Sequence, residues 1–179
     1  MKCVFVIPRM GGGGAERVVS LVSNALAKNG NDVTVLTLVG GESFYKLDSS
    51  VHFESVGITI NRKSKMHRTF SQVLFFPKSI VTLYKKLRTE KYDVVISMLT
   101  ECDILVGLCK FAGLHFKHVC SERNDPMRRK GVYFALLKAI YKHASLFICQ
   151  SQKVYDYYRD VPVSIKTVIP NPVDGDSLP

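Results

Sequence analysis

The sequence predicts an α/β fold, a doubly wound and mostly parallel sheet with helices on both faces. Three observations lead there. Strand-like apolar runs alternate with helical periods along the chain. Those runs are nearly continuous in Val, Ile and Leu, as in strands buried on both faces. Gly, Pro, Asn and Asp fall between the runs and punctuate them. The chain has 179 residues, 46% of them hydrophobic and 22% charged, which suits one well-cored soluble domain and excludes a disordered chain. No apolar run approaches the ~20 residues that a membrane span needs.

Each element has its own signal. Lys2–Pro8 is a buried strand that Pro8 ends. Over Ala15–Asn29 the residues Ala15, Val18, Val19, Val22 and Leu26 form one apolar stripe, with Gly30 as the stop. Asp32–Val39 is the second strand, and Gly40-Gly41 breaks it. Val51–Val56 alternates and reads as a third strand nearer an edge. Phe70–Arg88 is helical, with Pro77 kinking it or starting a new segment. Tyr92–Leu99 is the cleanest buried strand. Asp103–Ala112 follows as a helix and His118–Cys120 as a short strand. A helix with Tyr133, Leu136, Leu137, Ile140 and Tyr141 on one stripe leads into the strand "SLFICQS". A short helix, Gln152–Arg159, and a last strand, "SIKTVIP", complete the alternation.

The five cysteines form no C-x-x-C pair and have no zinc-ligand spacing, so they read as buried reduced thiols. The opening "CVFVIP" lacks a basic flank and a cleavage site, so it reads as a strand and the protein as cytoplasmic. The charge is less ordinary. Arg62, Lys63, Lys65, Arg68, Lys78, Lys85, Lys86, Arg88 and Lys91 lie within one stretch whose one acid is Glu90, so it carries +8 of the chain's net +10. Such a stretch attracts polyanions. Interleaved Phe70, Val73, Leu74, Phe75, Phe76 and Leu83 suggest a segment lying on an anionic membrane. A core-facing helix with solvated lysines reads equally well. No nucleic acid is expected, since no recognition motif accompanies the charge.

"MGGGGAER", Met10 to Arg17, stands between the first strand and the first helix. In this fold that junction lies at the carboxyl edge of the sheet, where ligands bind. Glycines admit close backbone approach, and a helix start offers free N–H groups to an anion. A tight turn needing positive φ is the other reading. The dinucleotide pattern G-x-G-x-x-G and the P-loop pattern both need a glycine where Glu16 stands. Neither kind of site is therefore expected.

Three blocks carry a resemblance. "IPRMGGGGAERVVSLVSNALAKNGNDVTVLT" resembles the amino terminus of family 4 glycosyltransferases of the GT-B fold. "SERNDP", Ser121–Pro126, is similar to the loop after the fifth strand in one branch of that family. "VIPNPVD", Val168–Asp174, is similar to the segment that leads into the family's second domain. The blocks span nearly the whole chain in the family's order.

The resemblance implies a retaining transfer of sugar from a nucleotide-sugar to a lipid-linked or surface-glycan acceptor. Residues 1–170 would then be the Rossmann-like acceptor-side domain and 171–179 the start of an interdomain linker. It implies that Gly12, Gly13 and Gly14 face the donor diphosphate. Glu16, Arg17, Glu122, Arg123 and Asn124 become candidate sugar or acceptor contacts, with Glu122 and Arg123 as candidate contributors to catalysis. Many relatives carry a His in that second loop, where this chain reads "CSERND". The polar turn at Asn124 is the other account of the loop. Glu16 is also favoured at a helix start by the dipole alone. Ser97, Thr100 and Glu101 qualify by position, and Ser151 reads equally as a helix N-cap.

The family's Glu-x7-Glu motif and its main catalytic groups belong to a second domain that the sequence does not contain. The fragment alone is therefore expected to be inactive, and no cofactor or metal is expected. A peripheral position on the inner face of the cell membrane would fit a lipid-linked acceptor. The alternative is a stand-alone, non-catalytic α/β domain that binds a nucleotide, a sugar or a polyanion.

Overall fold

The computed structural model describes residues 1–58, 65–123, 126 and 131–172, and of 58 and 65–76 the backbone alone. In chain order the elements are β1 (Lys2–Ile7), α1 (Gly14–Lys28), β2 (Asp32–Val39), β3 (Val51–Ile58), α2 (Lys65–Glu90) and β4 (Val94–Met98). They continue with α3 (Thr100–Phe111), β5 (Lys117–Glu122), α4 (Gly131–Lys142), β6 (Leu146–Cys149), α5 (Gln152–Tyr157) and β7 (Lys166–Val168). The strands form one seven-stranded sheet in the order β3-β2-β1-β4-β5-β6-β7. Every pairing is parallel, so the sheet is wholly and not just mostly so. β3 is an edge strand, in keeping with its alternating sequence.

Side-chain alternation along the strands divides the core in two. Cys3, Phe5 and Ile7 of β1, with Val33 and Val35 of β2, pack against Ala15, Val18 and Val19 of α1. Val4, Val6, Leu36, Leu38 and Val95 point the other way, onto Leu83 and Leu87 of α2 and Leu105 of α3. That second layer continues as Cys120, Phe147 and Cys149 under Leu137, Ile140 and Tyr141 of α4 and Val154 of α5. Among the described residues helices thus cover both faces, but unequally, with one on the first face and four on the second.

Local sequence sets the ends of the helices. Gly30, at φ +77°, follows the C-cap Asn29 and turns the chain into β2. Pro77 lies inside α2, which runs on through it as one helix. Gly107 lets α3 approach α4, since a Cβ there would meet the Ile140 side chain at 2.6–3.0 Å. Among the described residues no helix is long and apolar enough to cross a membrane.

Candidate functional site

The strand order reverses between β1 and β4, where the connections leave toward opposite sides and open a crevice outside the carboxyl ends. The glycine loop leaves β1 at this point. Gly13 is the N-cap of α1 in extended backbone and makes no side-chain cap. The first helical bond runs from Arg17 N–H to Gly13 C=O, 3.1 Å. The earlier N–H groups of the helix have no partner within it, the usual state of a helix start. Glu16 folds back over the loop, its carboxylate 3.6 Å from where a Gly11 Cβ would stand and nearer still to that of Gly13. Arg9 flanks Gly11 on the other side, with Nε 3.8 Å from the same point.

The other two sequence blocks converge on this loop. Arg123 donates from Nε to Ser121 Oγ at 2.9 Å, and from Nη1 to Ile169 C=O at 3.2 Å and Asn171 Oδ1 at 2.6 Å. Asn171 in turn brings its Nδ2 within 3.6 Å of the Cβ position of Gly14. A chain of contacts therefore runs from the end of β5, through the segment after β7, to the start of α1. Partial burial holds the Arg123 guanidinium below its ordinary value. Glycine N–H groups, Arg9, Arg123 and Asn171 together can receive an anionic or polyhydroxylated ligand.

Glu122 lies elsewhere. Strand alternation turns it to the opposite face from Ser121, where it is fully buried. Tyr141 and Tyr158 donate to its Oε2 at 3.1 and 3.4 Å. Tyr141 Oη also lies 3.0 Å from Asp103 Oδ2, so its single proton is shared between two buried carboxylates. Asp103 Oδ1 accepts from Ser97 Oγ at 2.5 Å, and Ser97 Oγ lies 2.9 Å from His118 Nε2. With the hydroxyl proton given to Asp103, Ser97 accepts from the Nε2–H of a neutral imidazole. Burial pushes the His118 pKa down to about 3, which keeps that form. Glu122, expected to meet sugar or acceptor, is as placed a member of this internal network.

Asp103, His118 and Cys120 bring potential metal-ligand atoms within 4.8 Å of one another. The Ser97 hydroxyl hydrogen-bonds Asp103 and His118, and Cys120 Sγ lies 3.4 Å from His118 Nε2, so the group is already mutually satisfied. Burial raises the thiols of Cys102 and Cys120 well above their ordinary value, and those of Cys109 and Cys149 to about 12 and 11. All five cysteines are free and buried, and none has the character of a nucleophile.

The remaining candidates divide. Thr100 is buried, and its Oγ1 lacks a hydrogen-bond partner among the described residues. The residue before it, Leu99, holds φ 72° and ψ 153°, backbone that favours glycine. Ser151 caps α5 by accepting from Val154 N–H, 3.4 Å. Asn124, Arg62 and Lys63 lie outside the described residues, as do the side chains of Lys65 and Arg68. Lys78, Lys85 and Arg88 are exposed along one stripe of α2 with Val81. Lys86, expected to belong to that surface, instead turns inward to Glu54 at 2.7 Å and Glu90 at 3.0 Å. Those carboxylates raise its pKa.

Sequence reasoning missed Arg9, and it missed Phe44 and Tyr45, which lie on the glycine loop from the β2–β3 connection. The Phe44 ring is 3.5 Å from the Cβ position of Gly12, and the Tyr45 hydroxyl donates to Gly12 C=O at 3.2 Å. Only their neighbouring aromatic positions marked them, and nothing in the sequence tied them to residue 12.

Comparison with known proteins identifies the fold and the family. A Campylobacter jejuni subsp. jejuni serotype O:2 protein, a GalNAc-alpha-(1->4)-GalNAc-alpha-(1->3)-diNAcBac-PP-undecaprenol alpha-1,4-N-acetyl-D-galactosaminyltransferase, is 29% identical over 158 residues. The match takes in 87% of this chain but 42% of that protein, so the chain spans about two-fifths of its length. A sucrose-phosphate synthase structure from Thermosynechococcus elongatus superposes with a TM-score of 0.69 at 13% identity, covering 97% of this chain and 91% of that one. Anabaena HepE in complex with UDP superposes with a TM-score of 0.62 at 15% identity, covering 97% and 45%. These two likenesses show the Rossmann-like fold. The family model for Glycosyltransferase Family 4 matches residues 12–177, and the chain belongs to that family.

Proposed function

We propose that this chain is the acceptor-side half of a retaining glycosyltransferase that moves a sugar from a nucleotide-sugar to a lipid-linked or surface-glycan acceptor. The observation that carries the reading is the convergence of the glycine loop, Arg123 and Asn171 at the switch point of the sheet. Departure of a nucleoside diphosphate builds negative charge, and prepositioned N–H and cationic donors stabilise it without reorganising. Gly12, Gly13 and Gly14 offer the backbone approach, while Arg9 and Arg123 supply the charge. The Campylobacter relative, whose acceptor is an undecaprenol-linked glycan, supports a lipid-linked acceptor here. The HepE complex supports a nucleotide-sugar donor. That this chain by itself does not turn over is part of the same proposal.

The test is nucleotide release from a panel of nucleotide-sugars, run on the full-length protein and on residues 1–179. Acceptor-dependent release by the first and none by the second is the expected result. Release by the short chain, or none by the full-length protein across the panel, overturns the reading. Gly13→Ala places a methyl against the Glu16 carboxylate and narrows the loop. It is expected to raise the donor KM with little change in stability.

A peripheral membrane position belongs to the same proposal. Lys78, Val81, Lys85 and Arg88 form the solvent stripe of α2, with Val81 53% exposed. None of the three cations has an ion pair among the described residues. Cations around an exposed apolar side chain suit an anionic bilayer. Co-sedimentation with phosphatidylglycerol-containing vesicles, lost on pure phosphatidylcholine, is the expected outcome. No binding at low salt, where screening is weakest, removes this part.

A further inference from the structure

The connection between β2 and β3, residues 40–50, is an irregular segment pinned at many points. Phe44 N–H donates to Met10 C=O at 2.9 Å, and Tyr45 OH to Gly12 C=O at 3.2 Å. Ser20 Oγ and Asn24 Nδ2 on α1 both donate to Lys46 C=O, at 2.9 and 3.1 Å, and Asp48 N–H donates back to Asn24 Oδ1 at 2.8 Å. Ser43 Oγ closes the turn onto Tyr45 C=O at 2.7 Å. This anchoring leaves the Phe44 ring 74% exposed. Single exposed apolar residues are ordinary on a protein surface. Phe44 differs in place and fixity, because its ring rests on Gly12 and meets Tyr45 edge-on, with centroids 5.2 Å apart at 81°.

We infer that Phe44 is a specificity-determining residue, the platform on which a terminal pyranose of the acceptor glycan stacks at the rim of the crevice. The inference rests on the transferase reading. A pyranose presents one face of C–H groups, and the negative face of an aromatic ring attracts such positively polarised edges. The ring of Phe44 has one face against Gly12 and the other open, which admits one flat partner. Stacked there, a sugar directs its hydroxyls along the glycine loop toward the Arg9 side. A nucleobase stacked on the same ring is the competing account, and the UDP measurement below separates the two.

Kinetics of the full-length enzyme test this. With an N-acetylgalactosamine-terminated oligosaccharide, Phe44→Ala is expected to raise the acceptor KM roughly two- to tenfold. Donor KM and kcat at saturating acceptor stay unchanged, and Phe44→Trp restores the acceptor KM. The chain contains no Trp, so Phe44→Trp in the 179-residue protein is also a single fluorescent reporter. Its emission is expected to shift with the oligosaccharide and to ignore UDP. An unchanged acceptor KM in Phe44→Ala, or emission that follows UDP and not the oligosaccharide, overturns the platform. The two readings fail separately. Emission that follows the oligosaccharide in a protein without turnover keeps the platform and removes the transferase. Turnover with an acceptor KM indifferent to Phe44 does the reverse.

Discussion

Ser121 and Arg123 lie on one side of the sheet, and Glu122 between them lies on the other. On the first side Arg123 borders an open crevice, covering the buried Ser121 and reaching Ile169 and Asn171. Glu122 faces a closed interior with Tyr141 and Tyr158. The two regions use polar chemistry for different ends. In the crevice, polar groups meet solvent and can exchange partners with a ligand. Behind the sheet, Ser97, Asp103, His118, Tyr141 and Glu122 satisfy one another, and any loss leaves a buried group unpaired. A buried polar group without its partner costs far more than an exposed one. The first region is therefore expected to tolerate substitution in stability and lose function, and the second to lose stability.

The largest contrast compares two aromatic residues. Tyr141→Ala removes a buried ring stacked on Phe147 at 4.2 Å, and should cost about 3–5 kcal/mol in urea unfolding. Phe44→Ala, on the exposed side, should stay within about 0.5 kcal/mol of the parent. Equal losses would erase the distinction between the regions. Tyr141→Phe sharpens it, because it keeps the ring and removes the hydroxyl shared by Asp103 and Glu122. About 1–3 kcal/mol is expected.

Gly107→Ala probes the packing behind the sheet without touching its polar groups. The new methyl overlaps Ile140, and overpacking of this kind costs about 1–3 kcal/mol. A neutral result would show that α3 and α4 separate freely.

The pH response of the buried region has a definite sign. His118 holds a pKa of about 3 when folded against an ordinary value of 6.5. Between those values the unfolded chain binds a proton that the folded chain refuses. Stability from this residue is thus present above pH 6.5 and is lost as pH falls, by about 1.4 kcal/mol per pH unit. Urea midpoints measured across that window should follow the slope, and His118→Asn should flatten it. The smallest expected effect is Ser151→Ala, which removes the α5 cap. Its 3.4 Å bond puts the cost near the low end, about 0.5 kcal/mol.

Much of this was legible in the chain. Val, Ile and Leu runs of strand length can be buried only in a covered sheet, and the alternation with helical periods requires crossovers, hence parallel pairing. The glycine loop was legible as part of the carboxyl edge of the sheet because its position after the first strand decides that. Arg123 was legible through the block that contains it. Phe44 was not, because its contact with Gly12 spans residues that no period or spacing connects. Lys86 was misleading in the sequence, since its one-dimensional neighbours are cations while its partner Glu54 comes from β3.

The sequence by itself determined the order of elements, the parallel sheet and the edge at which the glycine loop lies, because each follows from local period and from the handed connection of strands. Tertiary structure alone decided which of three consecutive residues, Ser121, Glu122 and Arg123, meets the crevice. Alternation says that neighbours part, but the face a helix covers is set by packing. Here α4 and α5 close over Glu122, while Arg123 is left to meet Asn171, which reaches the start of α1.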